Sequence, residues 1–236
     1  MIDFGHGTHV GLRRDHNEDT YCAEPQLGLW LVADGMGGHE HGEVASAMAR
    51  DSVIRAVSAG KGLTEAIRAA DHDIIEHSRA RGESLPMGTT VAAVRVNPDE
   101  HSYEVAWVGD SRVYYWDGEL KQISSDHSYV QELVSQGAIS ADQARTHPHR
   151  NVVTQALGVT GPDDLDIETV VGVLEPGHQI LLCSDGLTEE VSDQVISHTL
   201  SQGLPCQETV DHLILAALDN GGSDNITVLL IGRALE

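Results

Sequence analysis

The chain has 236 residues, a length that fits one large domain and leaves little room for two independent cores. Hydrophobic residues make up 40%, which is too many for a disordered chain and enough for a buried core. The 37 acidic and 14 basic residues give a net charge of −23, which argues against nucleic acid or anionic lipid as the main partner.

The first half of the chain combines strand-like and helix-like segments. Runs rich in Val, Leu and aromatic residues predict strands at 29–33, 89–96, 104–108 and 113–116. Two long helix-like segments lie at 42–58 and 64–79. Asp117-Gly118 lies between two strand-like runs and predicts a tight hairpin turn.

The second half begins with two short helices. Ser128-x-x-Gln131 and Ser140-x-x-Gln143 have the pattern of capping boxes. Strand-like runs are predicted at 167–173, 179–184 and 226–231. Before the last of these, residues 209–219 have apolar side chains at i, i+3, i+4, i+7 and i+8, which predicts a helix with one apolar face, and Gly221 is its stop signal.

Strands mostly follow strands in this order, which favours hairpin-connected antiparallel sheets over βαβ units. The predicted class is α+β, with two packed sheets covered by helices. No segment has the composition of a linker, so a single domain is expected over residues 1–236.

Location is predicted from what the sequence lacks. No basic segment followed by a long apolar run marks a secretory signal, and no apolar run approaches the roughly 18 residues of a membrane span. The three cysteines, Cys22, Cys183 and Cys206, are an odd number without CxxC spacing. That pattern favours reduced thiols and a cytoplasmic protein.

Four aspartates differ from the surface-like majority, because each stands at the edge of an apolar strand beside a small residue. They are Asp34 in VADGMGG, Asp110 in WVGDSR, Asp185 in LLCSDG and Asp224 in GGSDNITV. A single Asp-Gly or Asp-Ser can simply mark a turn, as Asp117-Gly118 does. Recurrence at four strand ends instead predicts that these side chains converge at one edge of packed sheets.

Converging carboxylates repel one another, and either protonation or divalent cations can relieve the repulsion. Oxygen ligands favour Mg²⁺ or Mn²⁺ over Zn²⁺. Two such ions about 3.5–4 Å apart can share a bridging water, turn it into a nucleophile and offset charge on a phosphoryl group. The 14 histidines do not favour zinc, since His72 and His77 are five residues apart and lie on different helix faces.

Arg14 is the candidate for binding phosphate oxygens. Its planar fork is suited to bidentate contact with phosphate. It precedes Glu18 and Asp19 by four and five residues, so a surface ion pair with those acids is an equally good interpretation of the spacing.

Eight segments follow one another along nearly the whole chain: RDHNED (14–19), VADGMGGHEHGE (32–43), MGTTVAA (87–93), VGDSR (108–112), SDHS (125–128), HPHRNVVTQALG (147–158), LCSDGL (182–187) and GSDNITV (222–228). In this order they resemble the metal-dependent protein phosphatases, the PPM or protein phosphatase 2C family, most closely its compact bacterial members. The resemblance implies a four-layer α/β/β/α sandwich, in which helices flank two packed antiparallel β-sheets. It also implies dephosphorylation of phosphoserine and phosphothreonine in proteins.

The resemblance also implies a set of metal ligands. Asp34 would bridge two Mn²⁺ or Mg²⁺ ions, and the Gly35 carbonyl, Asp185 and Asp224 would complete their protein ligands. Asp110, together with Asp185, would bind a third and weaker ion. Residues 136–157 would form a flap beside the active site.

Further residues are assigned around those ligands by the same resemblance. Asp19, with Glu18 beside it, would hold metal-bound waters, and Arg14 would bind the substrate phosphate. Many eukaryotic relatives have a histidine where this chain has Met36, and that histidine is the proposed acid for the leaving group. His39 is a candidate substitute, and a solvated loop residue is the alternative interpretation of it.

The leading hypothesis is an active serine/threonine protein phosphatase, in which a metal-bridging water attacks phosphorus in line and Arg14, Asp34 and Asp185 carry the catalysis. The alternatives are a catalytically inactive phosphatase-like binding module and a phosphatase for small phosphoesters. The expected partners are phosphorylated proteins, the substrates of a cognate Ser/Thr kinase in bacterial signalling, with no nucleic acid and no membrane. The chain is expected to act as a monomer in the cytoplasm.

Overall fold

The strands of the protein carry apolar side chains on one or both faces. We describe them from a computed structural model, which covers residues 1–37, 41–82 and 87–235. In the strand from Leu29 to Met36, Leu29 and Leu31 face one buried cluster, whereas Trp30 and Val32 face another. Since successive side chains of a strand point to opposite faces, this uninterrupted apolar run means that the strand is covered on both sides.

The strands form two antiparallel sheets, and we number them in chain order. Sheet A contains, in spatial order, β1 (Ile2–His9), β11 (Ile226–Arg233), β10 (Gln179–Cys183), β7 (Arg112–Trp116) and β8 (Leu120–Gln122). Sheet B contains β2 (Asp19–Glu24), β3 (Leu29–Met36), β5 (Val91–Val96), β6 (Ser102–Val108) and β9 (Glu168–Val173), and the short β4 (Gly88–Thr89) pairs with the end of β3.

Helices cover the outer face of each sheet. Sheet B is covered by α1 (His41–Ser58) and α2 (Leu63–Arg81), and sheet A by α5 (Asp185–Thr188), α6 (Asp193–Ser201) and α7 (Cys206–Asp219). Two short helices, α3 (Tyr129–Ser135) and α4 (Ala141–Arg145), lie between β8 and β9 in the chain. The predicted apolar face of α7 is buried at Val210, Leu213 and Ala217. Full burial of one such aliphatic side chain contributes about 1.5–3 kcal/mol to stability.

Three buried clusters separate four layers. One lies between sheet B and the helices α1 and α2, with Leu31, Ala49 and Ile67 among its members. A second lies between the two sheets, and a third lies between sheet A and the helices α5, α6 and α7. The α/β/β/α sandwich of class α+β predicted from the sequence is therefore confirmed.

Two strands were not predicted from the sequence. β1 has the sequence IDFGHGTH, in which glycine and histidine interrupt the apolar pattern, yet all its residues from Ile2 to His9 pair with β11. β2 likewise pairs along its whole length with β3. Strand formation here depends on the neighbouring strand more than on local propensity.

Turn and cap predictions were largely confirmed. Asp117-Gly118 joins β7 to β8, and Gly118 has a φ of 104°, which favours glycine. Ser140 and Gln143 form the complete capping box of α4. At α3 the Ser128 hydroxyl accepts a hydrogen bond from the Gln131 N–H without the reciprocal bond, so the capping-box prediction was only half right there.

Two further sequence-based expectations can be compared with the fold. None of the helices in the described part of the chain is long and apolar enough to cross a membrane. Cys22, Cys183 and Cys206 are buried free thiols. Burial raises the pKa of each of these thiols to about 12.

Candidate active site

The aspartates singled out in the sequence lie along one edge of the sandwich. Asp110 is in the turn between β6 and β7, Asp185 begins α5 directly after β10, and Asp224 lies just before β11. Asp34 was expected after the end of its strand, but it lies inside β3, because Gly35 and Met36 continue the strand by pairing with β4.

Asp19 joins this group because β2 starts opposite the end of β3, where Asp19 pairs with Asp34. We call Asp19, Asp34, Asp110, Asp185 and Asp224 the acidic rim. The Oδ2 atom of Asp19 accepts hydrogen bonds from the hydroxyls of Ser184 and Thr227, both at 2.7 Å. Burial raises the pKa of Asp19 to about 6, although these two hydrogen bonds oppose the rise.

Burial and mutual repulsion act together on Asp34 and Asp185. Burial raises the pKa of Asp34 well above its usual range, and the next causes are the negative charges of Asp19, Asp185, Asp110 and Asp224. The pKa of Asp185 is also raised well above its usual range, first by burial and then by the charge of Asp110. The rim therefore holds its negative charges at an energetic cost that nearby cations would reduce.

Asp110 is buried beside an ion pair. Burial, followed by the negative charge of Asp126, raises the pKa of Asp110 to about 7. Asp126 accepts three hydrogen bonds of 2.7–3.0 Å from the guanidinium of Arg112. That paired geometry commits the Arg112 charge to Asp126 and leaves Asp110 without a comparable partner.

Arg14 lies in the loop between β1 and β2 and reaches the rim. Its Nη2 atom donates to Asp224 Oδ2 at 2.7 Å, and this hydrogen bond raises the pKa of Arg14 above its ordinary value. The side chain is 55% exposed, so the remaining donors of the fork are accessible from solvent. The ion pair joins residues 210 positions apart, which the spacing within the loop did not indicate.

Asn225 fixes the loop that carries Arg14. Its Nδ2 donates to the carbonyl oxygens of Val10 and His16, each at 2.9 Å, and its Oδ1 accepts from the Glu18 N–H at 2.8 Å. The residue is 5% exposed, so these three hydrogen bonds are shielded from water. The residue that follows Asp224 in sequence therefore holds the loop of Arg14 in place.

Close backbone packing holds Gly35 and Glu18 against the start of α1. A Cβ atom added to Gly35 would lie 2.0 Å from the Gly42 carbonyl oxygen, so a side chain has no room there. The Glu18 carboxylate packs against Gly42 in the first turn of α1. Burial raises the pKa of Glu18, which lies in the neighbourhood where the loop, β3 and α1 meet.

A cavity of about 390 Å³ lies beside the rim. Asp110 and Asp185 contribute to its wall, together with Arg145, Arg150 and Asn151 from the segment predicted as a flap. A larger groove of about 860 Å³ runs along β9 and includes none of the rim aspartates. The carboxylates, rather than cavity size, therefore locate the candidate active site.

The chemistry of the rim fits a hard divalent cation. Asp19 Oδ1 and Asp185 Oδ1 are buried and have no hydrogen-bond partner, a situation that costs about 1–3 kcal/mol for a polar atom. Oxygen ligands of this kind favour Mg²⁺ or Mn²⁺. Within residues 1–37, 41–82 and 87–235, no group of three or more His, Cys, Asp or Glu side chains is positioned to hold a metal ion. Instead, Asp224 turns one oxygen to Arg14.

The prediction for His39 falls outside the described residues. Met36 is half-buried in β3 and pairs with Gly88. Its thioether has no proton to give to a leaving oxygen.

Sequence reasoning missed the groups that support the aspartates. Ser184 and Thr227 hold Asp19, and Asn225 holds the loop of Arg14. Each of these hydrogen bonds joins residues more than 150 positions apart in sequence. Ser184 and Asn225 are the direct neighbours of Asp185 and Asp224, and Thr227 lies at the start of β11. Small polar residues beside candidate aspartates were therefore the sequence signal that could have identified them. Which partners they contact depends on how the two sheets pack.

Comparisons with known proteins agree with this geometry. The family model "Protein phosphatase 2C" matches residues 8–220. The chain therefore belongs to the protein phosphatase 2C family and is a phosphatase. It is 35% identical over 242 residues to the serine/threonine phosphatase stp of Listeria monocytogenes, covering 97% of this chain and 94% of that protein.

Two solved structures resemble the whole fold. The serine/threonine phosphatase PstP/Ppp of Mycobacterium tuberculosis superposes with a TM-score of 0.90 and 33% identity, covering 99% of each chain. The catalytic domain of PstP in complex with two manganese ions superposes with a TM-score of 0.87 and 32% identity, covering 99% of this chain and 98% of that one.

Proposed function

We propose that this chain is a protein serine/threonine phosphatase that hydrolyses the monoesters of phosphoserine and phosphothreonine. The acidic rim supports this proposal most strongly, because it combines two buried, unpartnered carboxylate oxygens with an adjacent arginine and cavity. Relatives at about one-third identity over nearly the full chain are named serine/threonine phosphatases, which supports the same substrate class.

The proposed metal ligands are Asp34, the Gly35 carbonyl, Asp185 and Asp224 for two core ions. Asp110 is proposed to hold a weaker third ion together with Asp185. Mn²⁺ or Mg²⁺ bound there would neutralise the rim, lower the pKa of water and offset charge on the phosphoryl group. The PstP complex with two manganese ions is consistent with the core pair.

The chain's own residues then have separable roles. The exposed part of the Arg14 fork binds phosphate oxygens and orients phosphorus for attack by water in line with the leaving Ser or Thr oxygen. Asp19, held at Oδ2 by two hydroxyls, keeps Oδ1 available to accept a hydrogen bond from water, and Glu18 lies beside it. The leaving oxygen needs a proton that Met36 cannot provide, and His39 stays a candidate for it.

The segment 136–157 is proposed as a flap that borders the substrate cavity, within one phosphatase domain over residues 1–236. Arg145 and Arg150 of this segment line the cavity beside Asp185, which supports a role next to the substrate. We further propose a monomer that acts in the cytoplasm on the substrates of a cognate Ser/Thr kinase. Three buried free thiols are consistent with a reducing compartment.

The test is turnover of phosphothreonine and phosphoserine peptides, with an aryl phosphate and small phosphoesters for comparison. Mn²⁺ or Mg²⁺ should support hydrolysis of the peptides, and EDTA should abolish it. Faster turnover of every small phosphoester than of any phosphopeptide would contradict a protein substrate. No turnover with metal would indicate an inactive binding module, which the complete set of rim aspartates does not favour. Full activity after thorough metal removal would contradict the metal-dependent mechanism.

A further inference from the structure

His127 lies between the acidic rim and the flap, and the proposed reaction does not use it. The residue is 8% exposed. Its ring Nδ1 accepts a hydrogen bond of 3.2 Å from the Gly109 N–H, and its own backbone N–H donates to the Gly109 carbonyl at 2.9 Å. Two hydrogen bonds therefore hold the residue that directly precedes Asp110.

These contacts determine which ring nitrogen carries the proton. Because Nδ1 accepts from a backbone N–H, the neutral ring carries its proton on Nε2. The Nε2 atom lies 2.9 Å from Glu168 Oε1 at the start of β9, so it donates to this carboxylate. The ring thus connects the Gly109 turn to the edge strand of sheet B.

The backbone around His127 also holds the end of the flap segment. The His127 carbonyl accepts from the Thr154 N–H at 2.8 Å, and the Tyr129 N–H donates to the Val152 carbonyl at 2.9 Å. Ser128 pairs with Val153 in an isolated antiparallel bridge. The segment that follows the cavity-lining arginines is therefore fastened to the same residue as the Gly109 turn.

The far side of the turn is linked to Asp34. Gly109 has a φ of 104°, and a Cβ atom there would lie 2.7 Å from the Thr90 side chain. Ser111 Oγ and Thr90 Oγ1 are hydrogen-bonded at 2.8 Å, and Thr90 Oγ1 accepts from the Asp34 N–H at 3.0 Å. The turn that carries Asp110 is thereby held between His127 and the backbone of Asp34.

We propose that His127 is a positioning residue that holds the Asp110 carboxylate in register with Asp34 and Asp185 by fixing the Gly109 turn between the flap and β9. The essential contact is the one between Nδ1 and the Gly109 N–H. The Nε2 contact with Glu168 stabilises the same tautomer and fixes the ring orientation. The inference rests on the proposed phosphatase function for its activity readout, and on the hydrogen bonds alone for its spectroscopic readout.

Three substitutions separate the two ring contacts. His127→Asn places an amide oxygen near the Nδ1 position and can still accept from Gly109. His127→Gln extends to the Nε2 position, where it can donate to Glu168, but leaves the Gly109 N–H unpaired. His127→Ala removes both contacts while the backbone bonds to Gly109 and Thr154 stay possible. His178→Ala is the matched control, since His178 is also partly buried and hydrogen-bonded through Nδ1, to Tyr115.

We expect His127→Ala and His127→Gln to lower kcat for a phosphothreonine peptide by about 10–100-fold, the effect typical of residues that orient metal ligands. KM should change much less, because Arg14 is left intact. His127→Asn should recover most of the lost kcat, and His178→Ala should keep that of the wild type. Wild-type kcat in folded His127→Ala would overturn the proposal, and so would recovery by glutamine but not by asparagine.

Nitrogen-15 spectra of the wild-type chain provide a second measurement that does not depend on activity or on the variants folding. A ring protonated at Nε2, together with a Gly109 amide protected from hydrogen exchange, is the expected result. A ring protonated at Nδ1, or a rapidly exchanging Gly109 amide, would overturn the proposal. If the wild-type chain hydrolysed no phosphopeptide, the proposed function would fail, whereas these spectra would still decide the role of His127.

Discussion

Two Asp-Gly pairs of this chain lie in opposite electrostatic settings. Asp117-Gly118 is at the tip of the β7–β8 hairpin, where Lys121 Nζ donates to Asp117 at 2.6 Å and lowers the pKa of this exposed carboxyl. Asp34-Gly35 is at the acidic rim, where burial and four other carboxylates raise the pKa of Asp34. The dipeptide is the same in both places. The surrounding strands determine whether a protein cation balances the aspartate charge or whether the charge stays unbalanced and available to a bound cation.

The difference teaches how to distinguish a turn from a site. At the hairpin, the neighbour that relieves the charge is Lys121, four residues away in β8. At the rim, the neighbours come from both sheets, and the charges of Asp19, Asp185, Asp110 and Asp224 all repel that of Asp34. A site in this fold is therefore marked by like charges that long-range packing brings together.

The sharpest comparison substitutes each aspartate of the two pairs. Asp34→Asn should lower kcat/KM by about 100-fold or more, as expected when a central electrostatic group is lost. It should also shrink the increase in Tm that Mn²⁺ gives through selective binding to the native chain. Asp117→Asn should leave activity and the Mn²⁺ response unchanged. Equal effects of the two substitutions on the Mn²⁺ response would contradict the distinction.

Asp110 tests whether the rim is uniform. Asp110→Asn should fold, keep the rise in Tm with Mn²⁺ and lose about 10–100-fold in kcat, because it is expected to bind a weaker ion apart from the core. Activity against Mn²⁺ concentration and metal stoichiometry by calorimetry check this. Complete loss of metal binding would assign Asp110 to the core, and wild-type kcat would make it an ordinary turn residue.

Arg14 is the cation of the rim and should affect binding more than turnover. Arg14→Ala should raise KM for a phosphopeptide by about tenfold at saturating metal, and Arg14→Lys should restore it only in part, since a lysine lacks the planar fork. Arg13→Ala removes the same charge from an adjacent exposed position and is the control. If both alanine variants raised KM equally, the effect would come from net charge and not from the fork.

The smallest expected effect is on stability against pH, measured in EDTA. The folded-state pKa of Asp19 is about 6 and that of Asp110 about 7, both above the unfolded value of about 3.9. The native chain thus binds more protons at these two groups, so their contribution to stability is fully present below about pH 4 and is lost as pH rises from there through 6 to 7. Tm should fall over that range, and Asp34→Asn should make the fall shallower. A rising Tm would contradict the raised pKa values of Asp19 and Asp110.

Local patterns predicted much of the fold and singled out four of the five rim aspartates, whereas Asp19 was assigned by the family resemblance. The apolar face of α7, the hairpin turn and the alternating strands depend on neighbours within a few residues. The resemblance to the protein phosphatase 2C family was confirmed by the family match, and it predicted the four-layer fold correctly.

Other features depend on pairing across the chain, which local patterns do not contain. β1 forms because β11 lies beside it, and Asp34 lies within a strand because β4 pairs there. The register that places Asp19 opposite Asp34 is likewise set by pairing. For Arg14 the spacing left phosphate binding and a surface ion pair with Glu18 and Asp19 equally open, whereas its ion pair in the structure is with Asp224.

The ladder between β1 and β11 has a consequence for how the protein folds. It joins residues 2–9 to residues 226–233, and Thr227 bonds Asp19 across 208 positions. Such pairing requires closure of a very long loop, and the entropy cost of closure comes before the stabilising contacts form. A topology of high contact order therefore folds slowly. The acidic rim therefore forms late in folding, when residues 2–9 meet residues 226–233, and a partly folded chain would contain the five aspartates without bringing them together.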